Sequence, residues 1–276
     1  MKRFMYILLF AFLACEEVVF IDLPAPQNQI VVEGWVTDSL GRQPIRITRS
    51  NAFSSDIPFT PIEDAQVIVQ SRDGDVFLYS YSQQGYYEAD TEYQGISGKQ
   101  YRVRIVLDTM EIRSEWDKMP ELVPIEELEV ASFEENDPDD SDQQITIYYP
   151  KITTQDPEGQ QNFYRWIFYK NGIIFNEPEP ITIQNDRLFN GNLIPNNFQN
   201  FDYESSDEMT VQLVSVSQRA HGFLSLLRSQ ITTLGTSSGT TPAVVTGNVF
   251  IVGNQSEQVL GFFGAVAGSY ATETVP

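Results

Sequence analysis

Apolar and polar residues alternate with period two along much of the chain, the signature of half-buried strands. Ile30-Val31-Val32-Glu33-Gly34-Trp35-Val36-Thr37 reads as a strand, Asp38 to Arg42 as a turn, and Ile45-Arg46-Ile47-Thr48-Arg49 as its antiparallel return. Further short runs follow at turn-marked intervals: Ala65 to Val69, Val76 to Tyr81, Gly85 to Tyr87, Tyr101 to Val106 and Glu111 to Ser114. Strands this short and this closely spaced, over a stretch of about ninety residues, predict a β-sandwich at 29–120.

Pro120-Glu121-Leu122-Val123-Pro124 interrupts the pattern, and prolines flanking a short acidic run predict a domain boundary there. A second β-rich domain is expected over 121–276. Its predicted strands are Glu126 to Phe133, Gln144 to Tyr149, Asn162 to Tyr169 with a turn at Lys170-Asn171-Gly172, Thr210 to Val216, Ala243 to Val252 and Gln258 to Ala267. Within it, Phe223, Leu226, Leu227 and Ile231 recur at spacings of three and four, which predicts one amphipathic helix near 218–233 lying on the sheet. Gly235 to Thr241 is a Ser/Thr/Gly loop without the lysine of a phosphate-binding loop. The expected fold class is mainly β.

The N-terminus obeys a different rule. Lys2 and Arg3 precede an uninterrupted apolar run from Phe4 to Ala14, the layout of a secretory signal over 1–14. At ~1.5 Å per residue such a run crosses roughly half of a ~30 Å hydrocarbon core, too little for a transmembrane helix. Leu13-Ala14-Cys15 resembles the lipobox of bacterial lipoproteins, although Phe12 stands where leucine is more usual. The resemblance implies cleavage before Cys15 and acylation of its sulfur and of the new amino terminus. One chain of myristoyl length binds a membrane only reversibly, at ~0.8 kcal/mol per buried CH₂, whereas several chains hold essentially permanently. Residues 15–28, acidic and carrying Pro24 and Pro26, then form an extended tether.

Composition narrows the chemistry. A hydrophobic fraction of 41% with 12% aromatics suffices for a packed core. Net charge is −21, and loss of Lys2 and Arg3 with the signal makes it more negative, so no nucleic-acid partner is expected. Cys15 is the only cysteine and His221 the only histidine, which removes thiolate and multi-histidine metal sites and leaves one possible imidazole base. No cofactor is expected, and the chain is read as non-enzymatic.

Candidate sites compete with plainer readings. Asp137, Asp139 and Ser141 have the odd-position spacing of a calcium loop, but Asp142 and Tyr148 occupy the positions of its glycine and its glutamate. Asp137, Asp139 and Asp142 are therefore weak metal candidates in a loop expected to be solvated. His221 lies near Ser215, Ser217 and Ser225, yet no G-x-S-x-G elbow surrounds any serine, and a polar helix residue is the expectation. Trp35, Trp116 and Trp166 with Tyr86, Tyr87 and Tyr164 are either a sugar-stacking platform or, as period-two placement favours, core residues. Carboxylate pairs can be drawn almost anywhere among 38 acidic residues and identify no hydrolase.

Two resemblances extend this reading. The order Val32-x-Gly34-x-Val36-x-Asp38-x-x-Gly41, Pro61-x-x-x-Ala65-x-Val67-x-Val69, Asp73-Gly74, Gly85-Tyr86-Tyr87 and Tyr101-x-Val103-x-Ile105 is similar to carboxypeptidase-regulatory or transthyretin-like modules. It implies an immunoglobulin-like sandwich without catalysis. Cys15, Ile21-Asp22-Leu23-Pro24, Val31-Val32-Glu33-Gly34, Asp156-Pro157, Asn162 to Trp166, Phe189-Asn190-Gly191, Gly247-Asn248-Val249 and Leu260-Gly261-Phe262-Phe263 together resemble a Bacteroidota lipoprotein family labelled as a domain of unknown function. That resemblance implies an outer-membrane lipoprotein, often encoded beside TonB-dependent receptors, with two partners: the membrane through Cys15, and an outer-membrane β-barrel. In such proteins Glu16 and Glu17 resemble an export signal to the cell exterior. The alternative is a surface lipoprotein that captures glycans or peptides. Cys15→Ser is expected to abolish incorporation of labelled palmitate and to move the chain from the membrane to the soluble fraction on ultracentrifugation.

Overall fold

A computed structural model describes residues 28–51, 59–137, 142–175, 181–234 and 245–276. The signal, Cys15, Glu16, Glu17, nearly all of the tether, Asp139 and the loop at 235–241 lie outside the described residues.

The first half of the chain forms β1 (Ile30–Thr37), β2 (Ile45–Ser50), β3 (Phe59–Pro61), β4 (Gln66–Ser71), β5 (Val76–Tyr81), β6 (Tyr86–Ala89), β7 (Gln100–Leu107), β8 (Met110–Ser114) and β9 (Asp117–Lys118). A long hairpin follows, β10 (Ile125–Asn136) and β11 (Gln144–Gln155), then β12 (Phe163–Lys170), β13 (Ile173–Ile174), β14 (Thr182–Asn185), β15 (Leu193–Asn197) and β16 (Glu208–Ser215). Helix α1 (Gln218–Leu234) leads to β17 (Val249–Ile251), β18 (Asn254–Gln258) and β19 (Leu260–Thr274). The protein is mainly β and sandwich-like, with one helix among the described residues.

Alternation decides which side chains go inside. In β1, Ile30, Val32, Gly34 and Val36 face inward; in β7, Tyr101, Val103, Ile105 and Leu107 do. With Ile45 and Ile47 of β2, Val67 and Val69 of β4 and Tyr87 of β6 they build the first core. The second core lies between the three-stranded sheet β10-β11-β15 and the strands β12 and β16. Ile152 and Ile194 from one side meet Tyr164, Trp166, Phe168, Met209, Val211 and Leu213 from the other. Each of these large side chains, fully buried, is worth roughly 1.5–3 kcal/mol.

The two cores share a strand. β19 pairs in parallel with β1 from Leu260 to Val266 and antiparallel with β16 from Ala267 to Thr274. Phe263, Ala265, Ala267, Val249, Ile251 and Val259, all drawn from the expected second region, pack into the first core. The proline-flanked segment at 120–124 is itself bonded to β19: Ser269 Oγ donates to the Val123 carbonyl (2.8 Å) and accepts from Ile125 N–H (3.2 Å).

Close backbone approach at the start of β19 explains the glycines and the asparagine there. A Cβ on Gly247 would overlap the Gly261 carbonyl oxygen, and one on Gly261, whose φ is +94°, would overlap that of Val32. Asn248 spans the same junction, donating to the Phe263 carbonyl (2.7 Å) and accepting from Phe263 N–H (3.0 Å). Three of the blocks that carry the family resemblance, at 31–34, 247–249 and 260–263, therefore meet at one place and for a packing reason.

Helix α1 begins at Ser217, whose hydroxyl accepts from Ala220 N–H (3.1 Å) as an N-cap. It packs on the face of β12, β16 and β19 opposite the second core. The contact stripe is Ala220, Phe223 and Leu224, whereas Leu226 and Ile231, expected on the buried face, are exposed. Among the described residues the helix side chains in the cluster, Ala220 and Phe223, belong to its first turns. His221 packs against Phe163, ring centroids 5.0 Å apart.

Two predictions follow from this packing. Asn248→Ala strands two buried backbone groups and is expected to lower stability by about 2–6 kcal/mol in chemical denaturation, at ~1–3 kcal/mol for each unsatisfied group. Burial holds the His221 imidazole below its ordinary 6.5, with the Arg228 charge adding to the effect. The native state thus favours the neutral ring: that stabilisation is complete above pH 6.5 and is lost as pH falls through the lowered folded value. His221→Phe is expected to narrow the drop in melting temperature between pH 7 and pH 5.5.

Candidate functional site

The outer face of β12, β16, β19 and β1 is only partly roofed by α1. Period two sends Tyr164, Trp166 and Phe168 into the second core, so Phe163, Arg165, Ile167 and Tyr169 emerge on this face. By the same rule β16 presents Gln212 and Val214, β19 presents Phe262 and Val266, and β1 presents Trp35 and Thr37. Register sets them side by side: Arg165 lies opposite Val214, Ile167 opposite Gln212, and Trp35 opposite Gly264.

Gly264 shapes one wall. A Cβ there would come within 2.5 Å of the Trp35 ring and 2.8 Å of Phe262, so glycine lets the indole lie flat on the sheet. Trp35 stacks on Phe262 (5.3 Å), which in turn stacks on Phe223 of α1 (5.0 Å). Beside this row opens a groove of about 200 Å³, lined by Trp35, Ile167, Val214, Val216, Val266 and Leu224 on its apolar side and by Arg165, Gln212 and Thr37 on its polar side.

Arg165 is the unusual member. Its Nε is buried and makes no hydrogen bond, and no ion pair to it occurs among the described residues. Burial pushes its guanidinium below the usual arginine range, only partly offset by the nearby Tyr169. Tyr169 donates its hydroxyl to Gln212 Oε1 (2.9 Å), which fixes the polar end of the groove. Chemically, the arrangement offers a partly desolvated cation in the wall of a mainly apolar slot.

A second cleft, about 320 Å³, lies where the two sandwiches meet, between Lys118-Met119-Pro120-Glu121, Gln160 to Tyr164 and Ser215 to Gln218. Buried Asp117 stands behind it, accepting from Ala265 N–H (3.0 Å) and bonding Ser217, its carboxyl pushed up by burial. Nearby, Asp156 accepts from Tyr164 Oη, from Gly191 N–H (3.0 Å) and from Asn162 Nδ2 (3.4 Å), while Asp186 accepts from Asn162 N–H (2.7 Å). The blocks at 156–157, 162–166 and 189–191 are thereby joined into one buried clamp that ties two loops to β12.

The sequence-predicted candidates separate in space. Trp35 lines the groove; Trp166 is buried in the second core; Trp116 is half-buried elsewhere, with the Arg102 guanidinium 4.4 Å above its ring. Tyr87 is buried with its hydroxyl on the Ile62 carbonyl (3.0 Å), Tyr164 is in the Asp156 clamp, and Tyr86 is exposed. These six aromatics form no common platform. Ser217, the nearest serine in sequence to His221 on the N-terminal side, serves as the helix cap. Asp137 and Asp142 flank the turn of the β10-β11 hairpin, and among the described residues no three His, Cys, Asp or Glu side chains come together as a metal set. Arg165 stands within the block Asn162 to Trp166 but was not singled out from the sequence; the signal available was a lone cation alternating with three core aromatics.

No match to this chain was found among curated proteins. Residues 16–270 match the family described as a domain of unknown function (DUF4249), a span that takes in both sandwiches, the shared strand and the groove, and the chain belongs to that family.

Proposed function

We propose that this chain is a non-enzymatic lipoprotein, tethered through acylated Cys15 to the outer membrane with its body facing the exterior, and acting as an accessory subunit of an outer-membrane β-barrel such as a TonB-dependent receptor. The observation that carries the reading is the sequence Leu13-Ala14-Cys15-Glu16-Glu17, followed by an acidic tether that ends where β1 begins. Between Cys15 and Asn28 such a tether spans at most about 45 Å, so the sandwiches stay within reach of a neighbouring barrel. Among the described residues no helix is long and apolar enough to cross a membrane, which leaves attachment in this reading to the lipid. The buried carboxylates Asp117, Asp156 and Asp186 all hold backbone amides, and the first sandwich acts in this reading as an immunoglobulin-like spacer.

A second reading, capture of a glycan or peptide, is favoured by one observation: Trp35, packed on one side against the cluster under α1, also lines an open groove. The two readings make different demands on the same experiment. Affinity purification of the tagged chain from detergent-solubilised membranes is expected to recover a β-barrel protein in stoichiometric amount. Recovery of the chain alone overturns the accessory role. Protease added to intact cells is expected to degrade the chain; protection places it on the periplasmic side.

A further inference from the structure

An arginine nitrogen shut away from water without an acceptor is uncommon, because its desolvation is offset only by an opposite charge or a hydrogen bond. This chain carries 38 acidic residues and brings none of them to Arg165 among the described residues. The cross-strand neighbours are Val214 on one side and Ile183 on the other. Asp38, at the end of β1, is taken by Gly268 N–H (3.1 Å). Its Nε has no partner among the described residues, and Arg165 lines an open groove from which a ligand can supply one.

We infer that the groove between α1 and the outer sheet face binds a small organic acid, with its carboxylate on the Arg165 guanidinium and its apolar body against Trp35, Val266 and Leu224. The inference rests on the ligand-capture reading and names the chemistry of the captured group. A guanidinium presents parallel N–H donors that match the two oxygens of a carboxylate. Arg165 is the one cation lining the groove among the described residues, which suits a monoanion over a phosphate dianion, and the net charge of −21 repels a dianion further. The slot of about 200 Å³ has room for an aliphatic chain or a single side chain, and a ligand that covers its apolar floor displaces water from beside the ion pair. A free fatty acid and the C-terminus of a peptide ending in an apolar residue share this chemistry.

The full chain in detergent, titrated by calorimetry and tryptophan emission, tests this with four probes: N-acetylphenylalanine, hexanoate and the two matching amides. Both acids, or one of them, are expected to bind with at least tenfold preference over the amide, and Arg165→Gln is expected to remove that preference. Tighter binding of N-acetylphenylalanine points to a peptide terminus, and tighter binding of hexanoate to an aliphatic acid. Arg165→Lys keeps the charge without the fork and is expected to bind more weakly than the native chain. Without ligand, Arg165→Gln is expected to melt no lower than the native chain, since a partly buried guanidinium with an unpartnered Nε is gone. Amides that bind as well as acids overturn the carboxylate assignment and leave ligand capture standing. Acid binding unchanged in Arg165→Gln also overturns it, and absence of binding by all four probes overturns it together with capture in this groove.

Discussion

Everything in this fold depends on how the two edges of β19 are satisfied. The strand is buried from Phe262 to Ala267 and lies between β1, which pairs with its first half, and β16, which pairs with its second, so each edge is only partly covered by them. Backbone amides at the places where no strand lies alongside would be buried and unpaired. Side chains take them instead: Asn248 bonds the Phe263 amide, Asp117 that of Ala265 and Asp38 that of Gly268. Three polar residues, each from a different part of the chain, thus allow one strand to serve two sandwiches, and the cost of leaving any of them out is that of a buried orphan donor.

The strands with one buried face were legible, because β1, β2, β4, β7, β12 and β16 display the period-two pattern that a half-buried position imposes. Helix α1 was legible from its spacing, and its limits agree with expectation to about a residue at each end. Its buried stripe was not, since that depends on what packs beneath it. The run Leu260-Gly261-Phe262-Phe263-Gly264-Ala265-Val266-Ala267 signals a strand buried on both faces, but nothing local says that it returns to pair with residue 31. Non-local pairing of this kind is set by the closing of the whole sheet.

The candidate site divides along the same line. That Arg165 faces away from Tyr164 and Trp166 is written in the alternation of β12; that Trp35, Val214 and Val266 become its neighbours is written nowhere in their local sequence. The blocks that carry the family resemblance turn out to be mostly structural. Gly261 is required by a positive φ and a close carbonyl, Asn248 by two backbone groups, and Asp156 by the loop ends it clamps. Only the block Asn162 to Trp166 contributes both to the clamp, through Asn162 and Tyr164, and to the groove, through Arg165.

The parallel pairing of β1 with β19 also has a mechanical side. A pull along the chain from its N-terminal end reaches the body at Ile30, the first residue of a strand flanked by β2 on one edge and β19 on the other. Force along that axis loads the hydrogen bonds of both ladders together in shear, instead of peeling them off one at a time. β1 is held along both edges, so tension from that end is carried into β19, the strand that holds both cores.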